Sequence, residues 1–482
     1  MYLVLILFAV FCLQLLYTKK WKYKSMENIP GPPPNILIGN MGLMKGNIED
    51  MFHNIISLNK TFGKFVKIWV SPITPKIVIA DPGVAQKVLN SSLSKSSLYN
   101  HMFPFLGNGL VTSHVDLWRK DRKLTNVAFN TKLMDPYNIA FEYHGNQLVS
   151  MLYEKTGLNA LNIVPFVDLY ALDVICETMI GVRTHILKTG DMEYLNARSQ
   201  FLTIVMNRTY SLYKGYNFLF KLTNEYRLSR RCEEILRDFS KFLISEYMKT
   251  SKNRSNDDTD TKNVFEIITE AGLTGDRLID HVNTFVVAGQ DTPASTIAYA
   301  LYEIAHKPEI QRKVVEESVE ILGRDKNVTI TRNDMHGMVY LEALIKEALR
   351  HYPAVPMIER TLDEDLQVSG GVVPAGTDTT INIYAMHHDE EFFKEPNKFD
   401  PDRFLPENSS KINLSGFLPF SKGSRDCIGK TFAMYQMKSV ITKVVRNFEL
   451  LPADPPVKLV LTSEFVMKSS SGNQIRITPR QL

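Results

Sequence analysis

A single cysteine, Cys427, constrains this chain more than any other residue. It lies near the end of a loop-like stretch, residues 417–429, that runs directly into a helical pattern. Apolar residues recur at helical spacing from there on: Ile428, Phe432, Met434, Met437, Val440, Ile441, Val444 and Val445. The pattern predicts that the Cys427 sulfur lies near the first turn of a helix, where free N–H groups and the positive dipole end favour a thiolate.

The same loop carries residues that suit a large, flat, anionic ligand. Gly423 and Gly429 remove side chains where such a group could approach the backbone. Arg425 offers a bidentate donor for a carboxylate. Taken alone, Cys427 would be read as a buried cysteine before a helix, because free cysteine is among the most buried residue types. The combination predicts instead an axial thiolate ligand for haem iron.

The loop also matches a longer pattern, Phe-x-x-Gly-x-Arg-x-Cys-x-Gly. Its fixed positions are Phe420, Gly423, Arg425, Cys427 and Gly429. On this motif the chain resembles the cytochrome P-450 haem-thiolate monooxygenases. The resemblance implies a haem b cofactor (iron protoporphyrin IX) that is bound by the motif residues, with Cys427 as the ligand of the metal.

Composition places few limits on the protein. The chain has 482 residues, 44% hydrophobic and 22% charged, which is ordinary globular composition. Its length allows one large domain or several smaller ones. A net charge of +4 is too small to indicate nucleic acid as a partner, although it suits a membrane surface or an acidic protein. The four cysteines show no paired or zinc-type spacing, so we expect no disulfide framework.

The N-terminus predicts a membrane anchor. Residues 1–18 form an almost uninterrupted apolar run, short for a transmembrane span, and a lysine-rich stretch follows. A cleaved signal peptide would need a basic start and a small-residue cleavage site, and neither is present. Residues 19–35 are basic and then proline-rich, which predicts a hinge. Residues 36–482 form the expected haem-thiolate catalytic domain. Lysines after the span place that domain in the cytosol, and the resemblance implies the endoplasmic reticulum membrane.

The coarse pattern predicts a mainly α protein with small β-sheets. A long helix is expected from about residue 278 to 306, and a polar loop at residues 251–263. Strand patterns occur near both ends, at residues 65–70, 76–80, 459–462 and 474–478. The resemblance implies the triangular, helix-rich cytochrome P-450 fold in one catalytic domain; periodicity alone does not.

The long helical pattern contains a second motif. Ala288, Gly289, Asp291 and Thr292 match the superfamily pattern Ala/Gly-Gly-x-Asp/Glu-Thr, and Pro293 follows. Proline cannot donate to the carbonyl of Gly289, which predicts a kink there; an ordinary proline kink is the alternative reading. The resemblance implies that Thr292 hydrogen-bonds the oxygen species being activated and that Asp291 helps to deliver protons.

Further matches lie on either side of this helix. Glu347 and Arg350 share a helix face and, with Arg403, match superfamily motifs that form a buried structural network. Such pairs are common on surface helices, so their meaning rests on the resemblance. Arg360 occupies the position of a propionate-binding arginine.

An earlier segment contains Trp118 and Arg122, four residues apart on a basic helical pattern. In isolation it reads as a solvated helix face. The resemblance implies that both residues bind a haem propionate.

The closest resemblance is to the animal family-four clan, which includes microsomal fatty-acid hydroxylases and many insect members. Several of those hydroxylases attach the haem covalently through a glutamate where this chain has Ala288, so non-covalent haem is expected. Gln290 replaces the usual histidine. Apolar residues such as Met102, Phe103, Phe105, Phe201 and Leu202 suit a lipophilic substrate, although each could equally be core packing.

The motifs are compatible with three functions. The first is a membrane-bound monooxygenase that takes electrons from an NADPH-cytochrome reductase, with cytochrome b5 as a further candidate partner, and acts on a fatty acid, hormone, pheromone or xenobiotic. The second is a haem-thiolate isomerase or dehydratase that needs no reductase. The third is a non-catalytic haem- or lipid-binding protein. Asp291 and Thr292 favour the first, because only oxygen activation needs a proton relay.

Overall fold

The structure is a computed structural model that describes residues 2–129, 134–211, 213–251 and 262–482. Helices make up most of it, as predicted. They are α1 (Tyr2–Lys22), α2 (Ile48–Phe62), α3 (Pro82–Ser91), α4 (Phe103–Leu106), α5 (Val115–Thr125), α6 (Met134–Tyr153), α7 (Val164–Ile175), α8 (Ile186–Thr189), α9 (Glu193–Thr209), α10 (Asn217–Phe220), α11 (Asn224–Ser251), α12 (Val264–Glu270), α13 (Gly275–His306), α14 (Pro308–Leu322), α15 (Arg332–Gly337), α16 (Val339–His351), α17 (Ile383–His387) and α18 (Lys430–Asn447).

The strands form small sheets, as predicted, but the strands at residues 161–162 and 357–382, away from the two ends of the chain, were not predicted. They are β1 (Phe65–Ser71), β2 (Thr74–Ile79), β3 (Leu161–Asn162), β4 (Met357–Thr361), β5 (Leu366–Val368), β6 (Gly371–Val373), β7 (Asp378–Asn382), β8 (Phe448–Pro452), β9 (Leu461–Ser463), β10 (Met467–Ser469) and β11 (Gln474–Pro479). The largest sheet has the order β1-β2-β7-β4, with β2 and β7 parallel and the other pairs antiparallel. Strand β11 pairs with β3 and β8.

The long helix α13 lies at the centre of the largest core, where it packs against α7, α16, α18 and β8. Its bounds agree with the predicted helix at residues 278–306. Ile297, Leu301 and Ile304 are fully buried on it, as are Val440 and Val444 on α18. Because α13 and α18 are both buried in the same closely packed core, the loops next to them have little freedom. The site residues on those loops are therefore held in place.

Local signals set several boundaries. Asp81 caps α3 by accepting a hydrogen bond from the Val84 N–H, with Pro82 at the first helical position. The stretch at residues 95–113, expected to be loop, contains a 3-10 turn (Ser97–His101) and α4. Ten residues of the predicted polar loop, 252–261, lie outside the described residues.

The proline-rich segment is docked on the large sheet. Met26 and Ile29 are buried against it, and the Lys67 N–H donates to the Pro30 carbonyl at 2.8 Å. A Cβ on Gly31 would lie 2.0 Å from the Lys67 carbonyl oxygen, so only glycine fits there. The second half of the predicted hinge is therefore attached to the catalytic domain.

The N-terminal helix α1 makes few contacts and exposes its apolar side chains, among them Leu3, Ile6, Leu7, Phe8 and Phe11. Among the described residues, however, no helix combines the length and the apolar content that crossing a membrane requires.

Candidate active site

The loop that carries Cys427 is folded by its own backbone. The Cys427 N–H donates to the Phe420 carbonyl at 3.0 Å, and the Asp426 N–H donates to the Gly423 carbonyl at 3.1 Å. Gly423 has a φ of +79°, and a Cβ there would lie 2.4 Å from the Leu89 carbonyl oxygen. Glycine is thus required by the turn and by protein packing. At Gly429 an added Cβ would meet, among the described residues, only Phe129, at 3.8 Å, which leaves room for a flat group.

The thiol of Cys427 faces an internal cavity of about 310 Å³. Its side chain is accessible from the cavity. Burial raises the pKa of the thiol, while the Gly429 backbone N–H and the charges of Arg122 and Lys430 oppose the rise. The Gly429 N–H thus favours a thiolate, as predicted for the helix start, and desolvation is the larger opposing effect. A bound metal cation would reverse that balance.

Lys95 and Arg425 line one side of the cavity, and Arg360 lies close enough to both to interact with their charges. Burial, reinforced by Arg360, lowers the pKa of Arg425 to about 10. Burial and the two arginines also lower the pKa of Lys95. Arg425 donates to the Ser113 carbonyl at 2.9 Å, and Arg360 to the Glu359 carbonyl at 2.9 Å. In the described part of the chain, Nε and Nη1 of Arg425 and Nε of Arg360 have no acceptor.

The two predicted residues on α5, Trp118 and Arg122, contact different partners. Trp118 is buried, and the Arg425 guanidinium stacks over its ring at 4.6 Å. Arg122 donates to the backbone and side-chain oxygens of Asp426 at 2.7 and 2.8 Å. Trp118 thus fixes Arg425, whereas Arg122 ties α5 to the residue before Cys427.

These residues fit a haem. The Cys427 thiol faces the cavity beside a glycine with open space, and Arg425, which lines the same cavity, has guanidinium N–H groups without an acceptor among the described residues. Buried donors without acceptors are costly, and two propionate carboxylates would satisfy them. Lys95 belongs to this group as well, and no motif indicated it.

Helix α13 forms another wall of the cavity, to which Ala288, Asp291 and Thr292 contribute. Thr292 donates from Oγ1 to the Ala288 carbonyl at 2.9 Å. A Cβ on Gly289 would lie 2.2 Å from Cδ1 of Ile175, so this glycine lets α7 approach α13. The helix is continuous through Pro293; the predicted kink stays a prediction.

The lining of the cavity is mostly apolar. Met102, Leu202, Phe285, Ala354 and Phe465 all contribute, from the segments that the sequence indicated. Two other candidates pack elsewhere: Phe105 and Phe201 meet edge to face in the core, with ring centroids 5.6 Å apart. Phe103 is half-exposed and does not line the cavity.

The structural network forms behind the loop. Arg350 donates to both Glu347 oxygens, at 2.7 and 2.8 Å, and Arg403 donates to Glu347 at 3.2 Å. Glu347 and Arg350 are fully buried. His387 links this network to the cysteine loop, because its Nδ1 donates to the Arg350 carbonyl at 3.1 Å and its Nε2 accepts from the Leu418 N–H at 3.0 Å.

Comparison with known proteins decides what this site belongs to. The family model "Cytochrome P450" matches residues 29–475. The chain belongs to the cytochrome P450 family. It is 32% identical to cytochrome P450 4c3 of Drosophila melanogaster, over 95% of this chain and 90% of the relative. Cytochrome P450 4d2 of Drosophila melanogaster and cytochrome P450 4V2 of Mus musculus are each 30% identical over 98% of the chain.

The clan indicated by the sequence is thereby confirmed, since these relatives are P450s of family four. The protein is a cytochrome P450 monooxygenase, an oxidoreductase that uses haem ligated by a cysteine thiolate. Sequence motifs missed Lys95, His387 and a buried arginine on α9, Arg198. None of these three carries a local pattern, and each gains its partners only through packing.

Proposed function

We propose that this cytochrome P450 is a membrane-bound enzyme that inserts one oxygen atom of dioxygen into a C–H bond of a lipophilic substrate. The observation that carries the proposal is that Cys427, Asp291 and Thr292 line one mostly apolar cavity. A metal ligand, a proton relay and an apolar chamber are the three parts that such a reaction needs.

Residues around the cavity hold the haem. Cys427 ligates the iron, and haem b is held without a covalent bond because position 288 is alanine. Arg425, Arg360 and Lys95 bind the propionates, with Trp118 stacked behind Arg425. When bound, the haem supplies the iron on which dioxygen is activated.

The protein moves the protons that the reaction consumes. The balanced reaction takes RH, O₂, NADPH and H⁺ to ROH, H₂O and NADP⁺. The Thr292 hydroxyl, on the cavity wall, turns its proton from the Ala288 carbonyl to the oxygen, and Asp291 next to it resupplies the proton. The apolar lining excludes bulk water, so protons arrive through these two side chains.

Electrons come from an NADPH-cytochrome reductase, with cytochrome b5 as a further donor. Lys422 and Lys430 are exposed on either side of the Cys427 loop. Lysines there would attract an acidic flavoprotein to the face nearest the cysteine. Such steering changes association rates and weakens as salt rises.

The membrane attachment that we propose rests on α1. Its exposed apolar side chains would be buried in lipid, and the lysines at its end suit an anionic surface. The family-four relatives support the endoplasmic reticulum as the membrane, with the catalytic domain in the cytosol.

The decisive experiment uses the holoenzyme, a reductase and dodecanoic acid as a lipophilic probe under isotopically labelled dioxygen. One labelled atom per product molecule, formed only with NADPH, is expected. A panel of steroids, terpenes and alkanes replaces the acid if no product forms. Conversion of a fatty-acid hydroperoxide without NADPH or reductase, with no labelled product from the panel, would contradict the proposal and favour the isomerase alternative.

A further inference from the structure

A charged group lies buried behind Asp291. Arg198 on α9 is only 1% exposed, and its Nη1 lies 3.1 Å from Asp291 Oδ1. The same guanidinium donates to Oε1 of Gln290 and lies 3.7 Å from Asp168 on α7. Gln290 in turn donates to Asp168 Oδ1 at 2.8 Å. We call Arg198, Asp168, Gln290 and Asp291 the buried tetrad.

The tetrad holds one cation against two carboxylates. Burial raises the pKa of Asp168, and the Asp291 carboxylate adds to the rise while Arg198 opposes it. Burial disfavours the charge on Arg198, but Asp291 and Asp168 prevail and raise its pKa. Tyr194 and Glu464 also face Arg198, and Lys468 faces Asp168. Arg198 is therefore held by its carboxylates and not by solvent.

The geometry restrains Asp291 on one side only. Oδ1 faces Arg198, whereas Oδ2 has no hydrogen-bond partner among the described residues. A carboxylate with one oxygen fixed and the other free keeps a constant orientation while it binds and releases a proton. Gln290 accepts from the same Nη1 that faces Asp291, and Asp168 lies 3.7 Å from Nη2, so the guanidinium is held at both of its terminal nitrogens.

Helix α9 also forms part of the cavity wall. Leu202, one turn after Arg198, lines the cavity, and Ser199 donates to Glu464 at 2.9 Å. Glu464 precedes Phe465, another lining residue. The cation that holds Asp291 thus sits on an element that contacts whatever occupies the cavity.

We propose that Arg198 is a positioning residue for proton delivery: it holds the Asp291 carboxylate in its productive orientation, and Gln290 and Asp168 hold Arg198. This rests on the proposed monooxygenase function and extends it to residues that touch neither substrate nor cofactor. Without Arg198, two carboxylates remain side by side and Asp291 delivers its proton more slowly. More of the oxygen then leaves as hydrogen peroxide, in the side reaction O₂ + NADPH + H⁺ → H₂O₂ + NADP⁺, instead of being split.

The test compares Arg198→Met with Arg198→Lys in the reductase-coupled holoenzyme, with dodecanoic acid present. The readouts are hydrogen peroxide released per NADPH consumed and the solvent deuterium isotope effect on NADPH consumption. Arg198→Met should lower, on the order of ten-fold, the fraction of consumed NADPH that releases no hydrogen peroxide, which is within the usual range for proton-transfer residues. It should also change the isotope effect, and Arg198→Lys should recover part of both.

Arg208→Met is the matched control. Arg208 is a buried arginine on the same helix that donates to the Lys214 carbonyl and to Asn217, away from the tetrad. Its loss should leave the peroxide yield and isotope effect at wild-type values. Equal effects from both variants would reduce Arg198 to a packing role and overturn the proposal.

A second variant covers the case in which Arg198→Met does not retain haem. Gln290→Leu removes the fixed partner of Arg198 and leaves every charge in place; a peroxide yield raised roughly three-fold is expected. Wild-type peroxide yield and isotope effect in a haem-retaining Arg198→Met or Gln290→Leu would overturn the proposal. If the proposed monooxygenase function is wrong, the result is distinguishable, because the wild type would then consume no NADPH in the presence of the reductase.

Discussion

The Thr292 side chain contributes differently to catalysis and to stability. Its hydroxyl lines the cavity and donates to the Ala288 carbonyl, and a hydroxyl in a helix of this kind contributes about 1 kcal/mol to stability. The side chain should therefore matter far more to proton delivery than to folding.

Thr292→Ala should keep the haem spectrum and lower the yield of product per NADPH roughly ten-fold or more, because the hydroxyl that donates to oxygen is gone. Thr292→Ser is the control, since it keeps the hydroxyl and should keep most of the yield. Full coupling of NADPH to product in Thr292→Ala would rule out the role given to this residue.

His387 makes a pH-dependent prediction. Burial, with His388 and Arg350 nearby, lowers the pKa of His387 to about 3. The folded state therefore stays unprotonated at this ring down to about pH 3, whereas the unfolded chain takes up the proton near pH 6.5. Stability contributed by the neutral ring is complete above pH 6.5 and is lost as pH falls below it.

His387→Gln should flatten this dependence, by up to about 1.4 kcal/mol per pH unit between pH 6.5 and 5. The measurement is the free energy of unfolding from denaturant titrations at several pH values. His114→Gln, at an exposed histidine, should leave the slope unchanged. An unaltered slope in His387→Gln would mean that the ring is already protonated in the folded protein.

Residues that sit in a local motif were predictable, and residues whose roles arise from packing were not. Cys427, Thr292 and Glu347 each stand in a string of fixed spacing, so their neighbourhood could be read directly. Arg198 lies 92 residues before Gln290, and no periodicity links them. The effect of desolvation on the pKa of Cys427 was not predictable for a similar reason, because it depends on the surrounding fold and not on the helix start.

At the scale of elements, the network of Glu347, Arg350 and Arg403 joins α16 to the segments before the cysteine loop. Arg350 also donates to the His387 and Pro396 carbonyls, both at 2.8 Å. A single buried carboxylate thus anchors two cations and, through them, four chain segments. Its removal would leave those cations without a counter-charge.

Glu347→Gln should lower the free energy of unfolding by about 3–5 kcal/mol and weaken haem retention. The control is Glu316→Gln on α14, which breaks an exposed pair with Arg312 at 3.0 Å and should cost less than about 1 kcal/mol. Both values come from denaturant titration of the two variants. Equal losses would show that burial of the network contributes nothing.

The elements themselves were predicted more completely than their contacts. The period of apolar residues indicated α13 and α18, and proline and glycine breaks outlined β1 and β2. The docking of residues 26–31 on β1 was missed, since a proline-rich string looks the same whether it spans solvent or lies on a sheet. The close approach of Ile175 to Gly289 was also not predicted, because it depends on a helix more than 100 residues away in the sequence.

For the whole molecule, α1 is the part that contributes least to the catalytic core. Deleting residues 2–22 should release the protein from microsomal membranes while the haem spectrum stays intact, because α1 buries almost nothing against the domain. Sedimentation of both forms with vesicles measures this. Unchanged sedimentation of the shortened chain would place the main membrane contact elsewhere.

The central claim is that Cys427 holds the haem as a thiolate. The absorption spectrum of the ferrous protein with carbon monoxide tests it directly, in the wild type, in Cys427→Ser and in the control Cys232→Ser. We expect a strongly red-shifted Soret band in the wild type and in Cys232→Ser. The band should be lost in Cys427→Ser. A red-shifted band that survives in Cys427→Ser, or a histidine-type spectrum in the wild type, would contradict it.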